Sequence, residues 1–346
     1  MKLTGLITLG ARFAKARVTG ARAPLSVIFE VTQRCNLRCK YCSIWREPPP
    51  ELSLAEIRPL VDEMGRAGVK VISLVGGEPF LRDDLEQIGA AIESRGMSVA
   101  LCTNGHGFAD RVATFPGLSH LVISLDGLQP NHDALRGKGA FNSALTSLRA
   151  GVARGVSVMA TMTVTRKNLG VIRDVLQLAE GEGFRMNFQP VMTLRYASTK
   201  VDELAPSIAE FRGFMDEVID AKRGGAPIFG SLGMLRFIRE HWRPGAGFHS
   251  LIRPRGASHA GEIPCYAGQF FCSIGSDGTL SPCDLLSLPP ERLPNVRDGG
   301  FMAAVRALPL PDCAGCWCTP YLLRNMGTSL RPGAVLEVLR VLMESA

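Results

Sequence analysis

No stretch of the 346-residue chain approaches the roughly 18–20 consecutive apolar residues of a bilayer-spanning helix, which rules out a spanning helix. From Met1 to Leu25 there is neither the unbroken apolar run nor the small-residue cleavage site of a secretory signal, so a cytoplasmic, reducing compartment is expected. Internal repeats and low-complexity tracts are also absent. Acid is missing from the leader: Lys2, Arg12, Lys15, Arg17 and Arg22 all precede the first one, Glu30. These hold five of the seven excess positive charges, and the body that follows is nearly neutral. A nucleic-acid-binding domain would more often spread a basic face over its folded body, so no nucleic acid is expected. Leu3, Leu6, Ile7, Leu9 and Phe13 fall on one side of a leader helix, opposite Arg12 and Lys15, with Gly5 and Gly10 weakening it. Such a helix either packs on the main domain or touches an anionic membrane surface from the cytoplasmic side.

What is present suits a globular protein. Hydrophobic residues make up 46% and charged residues 21%, enough to fill a core. The length fits one large α/β domain with an extension. In a reducing compartment the ten cysteines point to metal ligands or reactive thiols rather than disulfides.

Between Leu25 and Val191, β-rich runs alternate with helical patterns. Strands are predicted at Val27–Val31, Val71–Val75, Ser98–Cys102, Leu121–Leu125, Val156–Val164 and Arg185–Val191. Helices fall near Leu54–Arg66, Asp84–Ser94, Phe108–Ala113, Ala140–Arg154 and Gly170–Glu182, the first opened by a Ser53/Glu56 capping box. This alternation predicts parallel strands with right-handed crossovers, an open, partial (βα)6 TIM-like barrel whose reactive groups collect at the carboxyl ends of the strands. Beyond Met192 the rhythm breaks into helices Ser207–Arg223 and Leu232–Trp242. A loop with Arg253, Arg255, His249 and His259 follows, then a cysteine-rich stretch and a closing helix, Ala334–Glu344.

Directly after the first strand stand Cys35, Cys39 and Cys42, spaced CxxxCxxC. Three thiolates on one loop can hold an iron–sulfur cubane and leave one iron open. Arg34, Arg38 and Lys40 would favour thiolates and a negative cluster. A structural zinc site would need a fourth ligand, and none is local. After the second strand comes Gly76-Gly77-Glu78-Pro79, after the third Thr103-Asn104-Gly105, and after the fourth Ser124-Leu125-Asp126-Gly127, followed by Arg136. The glycines would let backbone approach a ligand closely, Glu78 could meet an ammonium, Arg136 is suited to a bidentate clamp, and Ser124 can donate a hydrogen bond.

Taken in order, these elements resemble the radical S-adenosylmethionine (SAM) superfamily over roughly Val27–Val191. The resemblance implies a [4Fe–4S] cluster on Cys35, Cys39 and Cys42. It also implies SAM contacts from Gly76, Gly77, Glu78, Pro79, Asn104, Ser124, Asp126 and Arg136. Reductive cleavage would then yield a 5′-deoxyadenosyl radical, with electrons from an external flavodoxin- or ferredoxin-type donor.

Further on, Cys265, Gly278 and Cys283 form C-x(12)-G-x(4)-C, with a hairpin predicted from Phe270–Ile274 and Thr279–Ser281 about Asp277-Gly278. Cys313 and Cys316 supply a CxxC pair. The set is similar to the twitch form of the SPASM extension, which implies an auxiliary [4Fe–4S] cluster on Cys265, Cys283, Cys313 and Cys316, with Cys318 or Cys272 as substitutes. Four thiolates suit zinc as well. Asp284 matches the place of a general base in sulfatase-maturating relatives. Cys102 reads as a core thiol. The arginines at 236, 239, 243, 253 and 255 read as solvated surface or as an anion site.

The expected division is therefore 1–24 leader, 25–192 barrel core, 193–262 helical linker, 263–325 auxiliary-cluster segment and 326–346 closing helix. The expected function is hydrogen abstraction from a small-molecule or lipid-linked substrate, with the auxiliary cluster as electron acceptor. The alternatives are a SPASM-type peptide maturase, against which stand only about 34 residues before Cys35, and a non-catalytic zinc or nucleic-acid-binding protein.

Overall fold

In the computed structural model, which describes residues 13–191, 196–243, 265–285, 288–309 and 318–329, the alternating pattern becomes a single sheet. Residues 13–19 form helix α1. Then follow β1 (Ser26–Thr32), α2 (Leu54–Ala67), β2 (Val71–Gly76), α3 (Leu85–Ser94), β3 (Ser98–Thr103), α4 (Ala109–Thr114) and β4 (Leu118–Ser124). Next come α5 (Gln129–Arg136), α6 (Ala140–Ala153), β5 (Ser157–Val164), α7 (Ile172–Glu182) and β6 (Arg185–Pro190). Strands β1 to β6 are parallel and neighbour one another in sequence order, the open (βα)6 barrel that the pattern predicts.

Beyond β6 lie α8 (Val201–Leu204), α9 (Ile208–Arg223), α10 (Leu232–His241), the hairpin β7 (Phe271–Ile274) and β8 (Leu280–Ser281), α11 (Phe301–Ala307) and α12 (Thr319–Ser329). The hairpin turns where Asp277-Gly278 predicts, with Gly278 at φ 85° and Ser273 opposite Ser281. Its place is new: β7 pairs in parallel with β1, so the cysteine-rich segment extends the barrel sheet. Helix α12 crosses the interior. Its Thr319 hydroxyl donates to Asn187 Oδ1 on β6 (2.5 Å), and Arg324 donates to Ser73 Oγ on β2 (3.4 Å).

The remaining differences from the sequence reading have local causes. β4 starts at Leu118 because Ser119 and His120 break the apolar pattern without breaking the strand. α5 escaped prediction because it buries only His132, Leu135 and Arg136, and α12 because its buried face includes Thr319, Asn325 and Ser329. The capping box is present, with Glu56 N–H donating to Ser53 Oγ (3.3 Å) and Ser53 N–H to Glu56 Oε2 (2.8 Å). α1 packs on the hairpin segment: the Phe13 and Phe270 rings lie 4.7 Å apart, and Arg17 sits 5.0 Å over Tyr266. No helix among the described residues is long and apolar enough to cross a membrane. Residues 1–12, Arg253, Arg255, His249, His259, Cys313, Cys316 and Ala334–Glu344 lie outside the described residues.

Candidate active site at the carboxyl ends of the strands

The cysteine loop leaves β1 at an irregular register step between Glu30 and Thr32, and the glycine pair after β2 pins its root. Gly77 N–H donates to Thr32 C=O (2.9 Å) and Glu78 N–H to Arg34 C=O (2.8 Å). A Cβ on Gly76, whose φ is 142°, would lie 2.0 Å from the Thr32 carbonyl oxygen, and one on Gly77 would lie 2.3 Å from that of Arg34. The glycines therefore serve backbone approach to the cysteine loop, not only to a ligand. Gly77→Ala is expected to push the loop outward and cut the iron bound after reconstitution by more than about half, with the circular-dichroism spectrum retained; iron analysis on the folded variant checks this.

Glu78 and Pro79 are both buried. Glu78 is fully buried, and its carboxylate accepts from Thr103 Oγ1 (2.7 Å), Asn104 N–H (2.8 Å) and Phe80 N–H (3.1 Å). Burial pushes its carboxyl up to about 7 against the pull of those donors. Glu78 thus ties the turn after β2 to the turn after β3. Pro79 is buried at the start of a short 3-10 turn. Asn104 stays at the surface of the site, donating to Asn36 Oδ1 (2.8 Å) with its Nδ2 3.9 Å from Cys35 Sγ.

Arg136 is held from behind, with Nη1 left at the edge of the site. Its Nε and Nη2 donate to Asp126 Oδ2 (2.6 Å) and Oδ1 (3.2 Å), while Nη1 lies 3.9 Å from Cys39 Sγ. Asp126 further accepts from the Tyr41 hydroxyl (2.6 Å) and Thr163 N–H (2.9 Å). Burial opposes its ionisation, but the Arg136 charge holds its carboxyl below the usual range. Asp126 therefore lies behind the wall, where it orients Arg136 and Tyr41 and has no oxygen left over for a cofactor.

These turns enclose a cavity of about 380 Å³. Cys35, Cys39, Cys42, Gly76, Gly77, Asn104, Ser124 and Arg136 line it, and from across the barrel come Cys102, Gln189 and Asp284. Burial raises all three loop thiols, Cys39 up to about 11, with Arg136 pulling Cys39 and Cys42 the other way and the Leu37 N–H and Arg38 doing so for Cys35. A metal must therefore displace their protons. Among the described residues no group of three or more His, Cys, Asp or Glu side chains converges as a single metal ion requires, so the trio lines a space rather than closing on one ion.

In the second cysteine region, Cys283 is buried in an apolar cluster with Tyr266, Phe270, Phe271 and Tyr321, against which Cys265 and Cys318 pack. Cys318 thus joins Cys265 and Cys283. Cys272 does not: it sits in the barrel core, raised to about 12 by burial alone. Cys102, read as a core thiol, faces the cavity. Asp284 reaches the same cavity, held by a hydrogen bond from the Tyr321 hydroxyl and raised by burial. Arg239 is paired with Asp216 (2.5 Å), which leaves it no anion to hold.

The sequence reading missed Glu30, Tyr196 and Trp45, all in the cavity wall. Gln33 Nε2 donates to Glu30 Oε1 (2.6 Å), and so does the Tyr196 hydroxyl (3.0 Å). An acid inside an otherwise apolar strand was the available signal for Glu30. Trp45 Nε1 is buried without a hydrogen-bond partner, a donor ready for a ligand. Trp45→Phe is expected to weaken SAM binding about 5–10-fold, the worth of roughly one net hydrogen bond, as read by calorimetry.

The radical SAM superfamily model matches residues 29–179. A pre-heme d1 synthase from Dinoroseobacter shibae is 39% identical over 165 residues, covering 45% of this chain and 41% of that protein, less than half its length. An AdoMet-dependent heme synthase from Oleidesulfovibrio alaskensis is 33% identical over 304 residues, covering 82% of this chain and 74% of the relative. The chain belongs to the radical SAM superfamily. In fold it is similar to Streptococcus suis SuiB bound to S-adenosylmethionine, with a TM-score of 0.63 at 15% identity over 84% of this chain and 67% of that one. Membership of this superfamily implies SAM and a [4Fe–4S] cluster. Its residues fit both groups: three thiols of one loop face a shared cavity with an arginine edge beside them and an orphaned indole donor in the wall.

Proposed function

We propose that this radical SAM enzyme oxidises a small-molecule substrate, with Cys35, Cys39 and Cys42 holding the SAM-binding cluster. A second cluster would sit on Cys265, Cys283 and the 313–318 segment. The observation that carries this reading is that Asp284 and Leu285, next to Cys283, line the same cavity as the three loop thiols. Functionally we divide the chain into the barrel core, 25–192, and the auxiliary segment, 263–325, joined by the 193–262 linker.

When bound, SAM with its cluster would supply hydrogen-abstracting radical chemistry, and an auxiliary cluster would supply an electron acceptor. The chain's own residues do the rest. Gly76 and Gly77 hold the cysteine loop, Asn104 braces Asn36 beside Cys35, and Arg136 with Ser124 offers donors to a carboxylate at the loop's edge. Asp284 takes the proton that leaves with the oxidation, and its buried site moves its carboxyl towards the basicity such a role needs. Glu30 and Tyr196 orient polar groups of the substrate, and Tyr321 of α12 holds Asp284 from behind.

A cavity of about 380 Å³ is on the scale of one small ligand. The heme-synthase relative makes iron porphyrins the first small molecules to assay. The test is anaerobic reconstitution with SAM, reductant and a panel of porphyrins, sugars, lipid-linked compounds and peptides. The reading predicts 5′-deoxyadenosine formed together with a small-molecule product that has lost a pair of hydrogens. Turnover of peptides alone would overturn it. Cys283→Ser should lower iron from about eight to about four per chain and leave 5′-deoxyadenosine formation in place.

A further inference from the structure

The three loop thiols are not served alike. Cys35 Sγ receives Leu37 N–H (3.5 Å) and lies 3.9 Å from Asn104 Nδ2, and both donors are neutral. Cys42 receives the Ile44 and Ser43 N–H groups. Among the described residues the only donor directed at Cys39 Sγ is Arg136 Nη1, at 3.9 Å, and it belongs to a cation.

Arg136 ends α5, and that end is tied to the cysteine loop by Lys40 N–H, which donates to Leu135 C=O (3.0 Å). Behind it, Asp126 is fixed independently of the arginine. Its N–H donates to His132 Nδ1 (3.0 Å), its C=O accepts from Asn168 Nδ2 (2.9 Å), and its Oδ1 accepts from Thr163 N–H (2.9 Å). Bonds from Nε and Nη2 to this carboxylate leave Nη1 for the sulfur. Both side chains are buried, so salt and water screen their charges poorly. Those charges reach Cys39 with opposite signs. Burial raises its thiol, Arg136 pulls it down, and Asp126 pushes it back up.

We propose that Asp126 is a positioning residue which, through Arg136, sets the reduction potential of the cluster held by Cys35, Cys39 and Cys42. The inference rests on the radical SAM reading and concerns the charges of this chain. Reduction adds one electron, and so one negative charge, to the cluster, and no bond is made or broken. A cation beside Cys39 favours the reduced form, and a buried carboxylate behind that cation opposes it. Asp126 therefore aims the guanidinium at the sulfur and at the same time holds the potential below the value that an unpaired Arg136 would give.

The test is a redox titration with dithionite, followed by electron paramagnetic resonance. It uses the full chain reconstituted without SAM on the Cys283→Ser background, so neither the auxiliary segment nor carboxylate binding enters. Asp126→Asn keeps an oxygen for the arginine but removes the charge. At the wild-type midpoint its reduced-to-oxidised ratio is expected to rise about tenfold, an upward shift of about 59 mV for one electron. Asp126→Asn/Arg136→Met also loses the cation, and its ratio should fall back to the wild-type value or below. Tyr41→Phe keeps both charges and strips the Tyr41 hydroxyl from the carboxylate (2.6 Å), which should lower the ratio about threefold. Loosening of the network alone would move Asp126→Asn and Tyr41→Phe in the same direction. Shifts of equal sign in those two variants, or no shift in either with about four irons bound, would overturn the inference and leave the functional reading standing. A wild type that assembles no cluster on the loop thiols would strike both.

Discussion

Cys35→Ala is expected to reduce 5′-deoxyadenosine formation by more than about a thousandfold, a loss of over roughly 4 kcal/mol of barrier lowering. The size of the effect follows from where the residue stands. Cys35 begins the trio, immediately after Arg34, whose carbonyl accepts from Glu78 N–H, and its sulfur receives Leu37 N–H at 3.5 Å. A loop fixed at one end and deprived of its first sulfur has no neighbour to substitute. Cys102 lines the same cavity but projects from β3, and burial raises its thiol to about 12. Anaerobic chromatography of the reconstituted variant measures the product. Full cleavage in Cys35→Ala would refute the ligand assignment.

Arg136→Leu is expected to destabilise the apoprotein by about 3–5 kcal/mol, because it strands the Asp126 carboxylate in a fully buried position. Asp126 would keep the Tyr41 hydroxyl and the Thr163 N–H but lose its only nearby cation among the described residues. The double variant Asp126→Asn/Arg136→Met removes both charges and should recover at least half of the loss. Urea midpoints of the apoproteins check both statements. A loss below about 1 kcal/mol in Arg136→Leu would show that the pair is solvated and has no such role.

Much of this architecture is legible in the amino-acid sequence, and particular residues show why. Strands β1 to β3 announce themselves because a parallel sheet covered on both faces needs near-continuous apolar runs, and β5 and β6 because they interleave apolar with polar residues. The hairpin follows from Asp277-Gly278, where a positive φ is required. The site motifs are legible as positions, since each lies where a parallel strand ends. Their partners are not. The burial of Glu78 against Thr103 and Asn104, and the Arg136–Asp126 pair, are contacts between turns, and local pattern carries no record of which turn a side chain faces. For the same reason α5 and α12 give weak signals: their buried faces mix polar with apolar residues, and the polar ones meet distant groups, as when Tyr266 N–H donates to Asn325 Oδ1 (3.0 Å). The joining of β7 to β1 is equally non-local.

The central claim is that Cys35, Cys39 and Cys42 leave one iron of a cubane open for SAM. Mössbauer spectroscopy on a Cys283→Ser protein reconstituted with isotopically enriched iron, recorded with and without SAM, addresses it without interference from the auxiliary segment. The account predicts that one iron in four changes its isomer shift when SAM is added. Spectra that stay superimposable, from a sample shown to bind SAM, would contradict it.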